Sequence, residues 1–262
     1  MQKNKYIRAV LTIAGSDSCC GAGIQADLKT FQRYGVYGVC AVTAVTAQDG
    51  SRVDAVFPLP PRAVSSQVEA VLRAACVCGV KTGMLWNEGT IRAVAKSIAL
   101  HSLGPLVVDP VITSHAGRRL LAHGAEKALV RHLFPLADLV TPNILEAERL
   151  TGIAIAGERD ILRAARRLIA LGPRAVLITG GHAPGPAADW FYDGTALSIF
   201  TADRIRGGRL HGSGCILSAA IVAGMAKGMT VTQAIELGKH YVRRQIELSC
   251  GAGGVPPLAP HS

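Results

Sequence analysis

The chain contains no apolar run long enough to cross a bilayer, and its opening Met-Gln-Lys-Asn-Lys-Tyr-Ile-Arg holds no apolar signal core. A soluble, cytoplasmic protein is therefore expected. Its seven cysteines are an odd number, with Cys19 and Cys20 adjacent and Cys76 and Cys78 one residue apart. That spacing fits neither a disulfide framework nor a CxxC metal site and suits a reducing compartment. Basic residues never run beyond pairs such as Arg118-Arg119, Arg166-Arg167 and Arg243-Arg244, and no aromatics are interleaved with them. The net charge of +10 thus reads as a basic surface that favours phosphorylated small molecules, with no nucleic-acid partner and no membrane. No linker, low-complexity stretch or internal repeat divides the 262 residues, so one domain over 1–262 is expected, with roughly the last dozen residues as a loose tail. A Gly-x-Gly-x-x-Gly fingerprint is also missing, which argues against a dinucleotide site.

What the sequence does have is an alternation of strand and helix patterns, the mark of a mostly parallel sheet covered by helices on both faces. Strands are predicted at residues 9–14, 39–45, 53–57, 77–82, 106–108, 139–140 and 175–178, and an edge hairpin at 190–192 and 195–200 joined by Asp193-Gly194. Helical spacing follows Gly23, Pro61 and the cap Asn87, recurs over 125–133 and from Ile161, and closes with a long helix capped by Thr230 and Gln233. The stretch most suggestive of chemistry is Gly212-Ser213-Gly214-Cys215, a glycine loop feeding a helix whose C-terminal cap is Gly228. Free N–H groups and the helix dipole make such a junction an anion site. Cys215 at its mouth is expected to favour the thiolate. The alternative is a turn followed by a core helix, with Cys215 a small buried hydrophobe.

In an open parallel sheet, ligands bind outside the strands' carboxyl ends. The predicted strands bring Gly15, Asp17, Gln48, Met84, Asp109, Asn143 and Gly180 to that edge. Each has a plainer reading, as a turn cap or a solvated loop residue. Asn143 and Glu146, three apart at a helix start, either face a metal-bound phosphate or form a capping box.

The order of these motifs resembles one known family. Ile13-Ala14-Gly15-Ser16-Asp17-Ser18, Gly21-Ala22-Gly23-Ile24-Gln25-Ala26-Asp27, Thr46-Ala47-Gln48, Lys81-Thr82-Gly83-Met84-Leu85, Asp109-Pro110-Val111, Thr141-Pro142-Asn143 with Glu146, and His211-Gly212-Ser213-Gly214-Cys215 are similar to the hydroxymethylpyrimidine/phosphomethylpyrimidine kinases of thiamine synthesis, a branch of the ribokinase superfamily. The resemblance implies a single-domain, three-layer ribokinase-like α/β fold, a homodimer, and ATP-dependent phosphorylation of 4-amino-5-hydroxymethyl-2-methylpyrimidine and its monophosphate. It implies that Gly15, Asp27, Gln48, Met84 and Val111 line the pyrimidine site and that Cys215 is catalytic. Asn143, Gly212, Ser213, Gly214 and Arg209 would hold the phosphates or nucleotide, and Asp109 and Glu146 would hold Mg2+. The alternatives are a vitamin B6 kinase and a non-catalytic pyrimidine sensor. Four positions depart from the family pattern: Thr179 stands in place of Lys, Asp49 of Asn, Cys20 of Gly and Ser213 of Thr. Arg206 and Arg209 are expected to supply the cation that Thr179 lacks.

Overall fold

The computed structural model describes residues 7–114, 117–181, 187–205 and 210–250. Among the described residues, nine strands form one sheet in the order β3-β2-β1-β4-β5-β6-β7-β8-β9. They are β1 (Ile7–Asp17), β2 (Tyr37–Gln48), β3 (Val53–Pro58), β4 (Ala75–Thr82), β5 (Leu106–Val108), β6 (Leu139–Val140), β7 (Val176–Thr179), β8 (Ala187–Tyr192) and β9 (Leu197–Ala202). Strands β2, β1, β4, β5, β6 and β7 are parallel. Antiparallel β3 closes one edge and the β8–β9 hairpin the other.

Alternate residues of the central strands face opposite helical layers, as the two-residue period of a strand requires. Leu11, Val80, Leu106, Val108, Val176 and Ile178 pack with α2 (Pro61–Ala74), α3 (Glu88–Leu100), α5 (Ile144–Thr151) and α6 (Glu158–Ile169). Val10, Val107, Leu139 and Leu177 pack with α1 (Gly23–Arg33), α7 (Ser213–Ala226) and α8 (Val231–Ser249). This is the expected three-layer α/β architecture. α7 is buried over most of its surface. It ends at Gly228, whose φ of +90° and whose N–H bond to the Met225 carbonyl form a left-handed cap. The predicted caps of α3 and α8 are present, with Asn87 accepting from the Thr90 N–H and Thr230 from the Gln233 N–H.

Three predicted boundaries are corrected. β1 continues through a bulge to Asp17 and β2 reaches Gln48, so residues read as loop extend the sheet toward the site. The helix expected over 125–133 is a short α4 (Glu126–Ala128) that widens into a π turn over Leu129–Leu133 and ends in a 3-10 turn over Phe134–Leu136. Pro135 lacks an N–H and its ring opposes the carbonyl of the preceding turn, so an ordinary helix cannot continue. The expected tail lies outside the described residues.

The strand order reverses between β1 and β4: the chain leaves β1 for β2 on one side and returns to β4 on the other. A ligand crevice belongs at the carboxyl ends of those two strands. The start of α7 reaches this point because Gly212 sits at φ +80°, where a Cβ would overlap the Gly21 carbonyl oxygen. Gly212→Ala is expected to lower the unfolding free energy by about 2 kcal/mol or more, from left-handed strain plus this clash. A change below about 0.5 kcal/mol in urea denaturation would show that the junction tolerates a side chain.

Candidate active site

Asp17, the last residue of β1, is almost fully buried and organises the loop that follows. Its carboxylate accepts from the N–H groups of Cys19 (2.8 Å), Gly21 (3.0 Å) and Ala22 (2.7 Å), and from His211 Nε2 (3.2 Å). Burial opposes its ionisation, but the His211 bond, these backbone donors and the Gln48 side-chain amide outweigh it and hold the pKa below the usual carboxylate value. The plain reading of Asp17 as a turn cap is therefore observed, and the same cap joins the β1 loop to the α7 loop through His211. His211 lay inside a motif quoted from the sequence, but no role had been read for it. Its ring also packs on Gly21, where a Cβ would meet the ring edge at 2.6 Å.

Gln48 lies at the end of β2, partly buried. Its backbone carbonyl accepts from Ser18 Oγ at 2.8 Å and its amide side chain is turned to Asp17. Gly15 is buried beside Met84, and a Cβ there would lie 3.0 Å from the Met84 sulfur. Met84 is held from behind by Thr43, whose hydroxyl donates to its carbonyl at 2.6 Å. Val111 is partly exposed beyond β5. Gly15 and Met84 thus touch at the β1/β4 reversal, and Gln48 reaches the end of β1 through Asp17 and Ser18. Asp27 does not join them at the surface: it is fully buried, and its carboxylate takes two bonds of 2.9 Å from Lys81 Nζ and one of 2.6 Å from Thr12 Oγ1. The expectation that Asp27 lines the substrate site is corrected to a buried ion pair beneath it. Lys81 is the partner that sequence reasoning missed.

Gly212, Ser213 and Gly214 form the mouth of α7, with Gly214 exposed. Helix geometry leaves the Gly214 and Cys215 N–H groups without intrahelical acceptors. Cys215 is partly buried. The expected thiolate is overturned: burial pushes the thiol up to about 12, Asp109 and Asp27 add to that, and Lys81 and the Gly23 N–H only partly offset it. Helix position alone had suggested the opposite, because the burial of the thiol and the two nearby carboxylates were not visible from the motif.

The Asn143–Glu146 question resolves locally to a capping box. Asn143 Oδ1 accepts from the Glu146 N–H at 2.9 Å, and Glu146 Oε2 accepts from the Asn143 N–H at 3.0 Å. Glu146 Oε1 takes the Ile112 N–H as well. Burial, then the charge of Asp109, raises the Glu146 carboxyl to about 8. Asp109 is raised too, by burial, and accepts from Ser218 Oγ at 3.0 Å. Two buried acids side by side form a donor set that a divalent cation would relieve, and Mg2+ needs only one or two carboxylates when phosphates and water complete its shell. Among the described residues no group of three or more His, Cys, Asp or Glu is placed to hold a metal.

The departures behave differently from one another. Cys20 sits at φ +60°, the conformation that favours glycine. Asp49 is exposed and folds back onto Ser51 and Arg52. Thr179 pairs across the sheet with Asp189, which Lys239 neutralises. Arg206 and Arg209 lie outside the described residues, but Arg204 donates to the carbonyls of Gly181 (2.6 Å) and Gly180 (3.3 Å) beside Thr179. No helix among the described residues is long and apolar enough to cross a membrane.

The Glu146 shift has a defined sign. Between about 4.5 and about 8 the folded chain holds a proton that the unfolded chain releases. Stability is therefore full below that window and falls as pH rises through it. In metal-free buffer the wild type is expected to lose up to about 4 kcal/mol more than Glu146→Gln between pH 4.5 and 8. Parallel urea-denaturation profiles for the two proteins would show that Glu146 is already ionised when folded.

The model of the phosphomethylpyrimidine kinase family matches residues 17–257. A hydroxymethylpyrimidine/phosphomethylpyrimidine kinase of Rhizobium meliloti is 46% identical over 253 residues, covering 94% of each chain. A thiamine biosynthesis bifunctional protein of Geobacter sulfurreducens is 45% identical over 92% of this chain, which spans about half (49%) of that longer protein. Among solved structures, an ADP complex of Bacillus subtilis pyridoxal kinase superposes with a TM-score of 0.84 at 37% identity, covering 91% of each chain. A phosphomethylpyrimidine kinase of Clostridium difficile superposes with a TM-score of 0.80 at 38% identity, over 92% of this chain and 99% of that one.

Proposed function

Because the chain belongs to the phosphomethylpyrimidine kinase family, we propose that it transfers the γ-phosphoryl group of ATP to the hydroxymethyl group of 4-amino-5-hydroxymethyl-2-methylpyrimidine, and then to the monophosphate so formed. The observation that supports this reading is the run of contacts along the end of β1: His211 and Gly212 seat the α7 mouth on the β1 loop, the Gln48 amide reaches Asp17, and Met84 packs on Gly15. An anion-binding helix start and an amide-and-thioether wall then face one crevice. The Gln48 amide can donate and accept at once, as an aminopyrimidine edge requires, and its contact with Asp17 fixes which way it points. Met84 supplies a polarisable surface for the ring.

Phosphoryl transfer depends on positioning and charge neutralisation more than on a strong base. The Gly214 and Cys215 N–H groups would hold the transferring phosphoryl. Cys215, a thiol in the ligand-free chain, would orient the attacking hydroxyl through a hydrogen bond, and the hydroxyl proton would leave on an oxygen of the transferred phosphoryl group or to water as the new O–P bond forms and the bond to ADP breaks. Mg2+, held by Asp109 and Glu146, would supply charge neutralisation on the nucleotide phosphates. Asn143 and, near Thr179, Arg204 lie on the strand-end side where those phosphates would extend.

A second reading, a pyridoxal kinase, is favoured by the fit to the Bacillus subtilis enzyme. Mass spectrometry of products formed with ATP and each alcohol separates the two, and absence of any product with retained pyrimidine binding would support the sensor alternative instead. Cys215→Ala is expected to cut turnover by about two to four orders of magnitude with an unchanged fold; near-normal turnover would return Cys215 to a packing role. Gln48→Leu is expected to weaken pyrimidine binding by about 1 to 3 kcal/mol and leave ATP binding alone. Equal calorimetric affinities for the pyrimidine in wild type and variant would remove Gln48 from the substrate site.

A further inference from the structure

No side chain caps the start of α7, although the proposed chemistry is placed there. α3, α5 and α8 open on Asn87, Asn143 and Thr230, each of which accepts a backbone N–H of its own first turn. The corresponding residue of α7 is Gly212, which has no side chain to offer. The first N–H groups of the helix are thereby left free for an anion, but the bond that usually fixes a helix start is lost. The body of α7 is buried, whereas Gly212, Ser213 and Cys215 are only partly buried and Gly214 is exposed. Another contact must hold this turn in place.

His211, the residue before Gly212, makes that contact. Its Nε2 lies 3.2 Å from Asp17 Oδ2, the oxygen that also accepts the N–H groups of Gly21 (3.0 Å) and Ala22 (2.7 Å). Asp17 is ionised and can only accept, so Nε2 is the ring nitrogen that carries the proton. Nδ1 is buried without a partner, so the ring is held by hydrogen bonding from the Asp17 side alone. The two segments touch twice more. A Cβ on Gly21 would meet the His211 ring at 2.6 Å, and one on Gly212 would overlap the Gly21 carbonyl oxygen. Leu210, one residue earlier, packs with Ala26 of α1 and Ile216 of α7. That apolar contact sets the depth of the approach to α7, and the directional Asp17–His211 bond sets its orientation.

We propose that His211 is a positioning residue for phosphoryl transfer: by bonding Asp17 it fixes the uncapped start of α7 against the β1 loop, so that the Gly214 and Cys215 N–H groups stay aimed into the crevice. This rests on the kinase reading above. His211 acts through the α7 backbone and takes no proton from the hydroxyl. Donors of this kind work only where charge develops, and a displacement of about 1 Å can cost about 100-fold in rate. Because they act on the transferring phosphoryl, their misalignment falls on kcat and leaves KM alone.

The test compares variants of the full chain, each first shown to be folded by circular dichroism and urea denaturation. His211→Phe keeps a ring beside Gly21 but cannot donate to Asp17. His211→Ala removes both ring and donor and cannot clash, so a misfolded Phe variant does not decide the matter. His211→Gln restores an N–H donor where Nε2 stood. With ATP and whichever alcohol is phosphorylated, His211→Phe and His211→Ala are expected to lose about 100-fold in kcat with both Michaelis constants within about threefold of wild type, and His211→Gln to recover about tenfold or more of that loss. A packing role would be served by Phe and not by Gln. The second readout needs no turnover: NMR-detected exchange of the Ile216 amide proton, whose nitrogen lies 2.9 Å from the Gly212 carbonyl oxygen. Exchange is expected to quicken by about tenfold or more in the Phe and Ala variants, to stay near wild type in Gln, and to be unchanged within α8. Wild-type kcat in either folded loss variant, or a Gln variant that falls as far as Ala, overturns the proposal. A wild type that phosphorylates neither alcohol overturns the kinase reading, and Ile216 exchange then decides by itself: quickened in Ala and restored in Gln, it upholds His211 as the anchor of the α7 start; equal in all the proteins, it refutes it.

Discussion

Asp17 receives hydrogen bonds from three backbone N–H groups of its own loop and from the His211 ring, and the Gln48 side chain reaches it as well. Those donors belong to three separate parts of the chain: the β1 loop, the approach to α7, and the end of β2. A carboxylate is suited to this because both oxygens accept and neither needs a proton. With its charge buried, each missing donor would cost more than the bond itself is worth in water. The crevice is thereby held in one arrangement before any ligand arrives, which is what a reaction that runs on positioning requires. Gly21 and Gly212 make the arrangement possible, since a side chain on either would push the two loops apart.

Much of this was legible in the sequence, and for identifiable reasons. The strands β5 and β6, the hairpin turn at Asp193-Gly194, the caps Asn87 and Thr230, and the left-handed stop at Gly228 follow from local rules in which neighbours within a few residues decide the outcome. The glycine loop and the strand-end residues Gln48 and Met84 were legible once the sheet was taken as parallel, because topology alone sends strand ends to one edge. What failed were properties set by distant partners. The Cys215 thiol is governed first by its burial and then by Lys81, Asp109 and Asp27, all far away in the chain, so its state does not follow from its place at a helix start. Lys81 lay inside a quoted motif but reads as an exposed residue until its partner is known. The π turn over Leu129–Leu133 depends on Pro135 at a point where apolar spacing still reads as helix.

The charges at the crevice set up a conflict that any anionic co-substrate must meet. Asp27 and Asp109 are buried acids beside the buried Lys81 ammonium, and Glu146 is a third beside Asp109. Burial first, and then the neighbouring carboxylates, disfavour further negative charge here, so Glu146 is raised to about 8 and Cys215 to about 12. A triphosphate entering beside them brings more negative charge. Three sources can offset it: the free N–H groups at the α7 mouth, a divalent cation on the Asp109–Glu146 pair, and guanidinium groups at the far end of the crevice. The first is fixed by the fold and carries only partial charge. The second becomes stronger for the very reason the apo site is strained, since a cation replaces the shared proton and lets both acids ionise. Arg204, bonded to the Gly180 and Gly181 carbonyls, is of the third kind. Lys81 belongs to none of these, because its charge is matched by Asp27 and cannot also neutralise a phosphate.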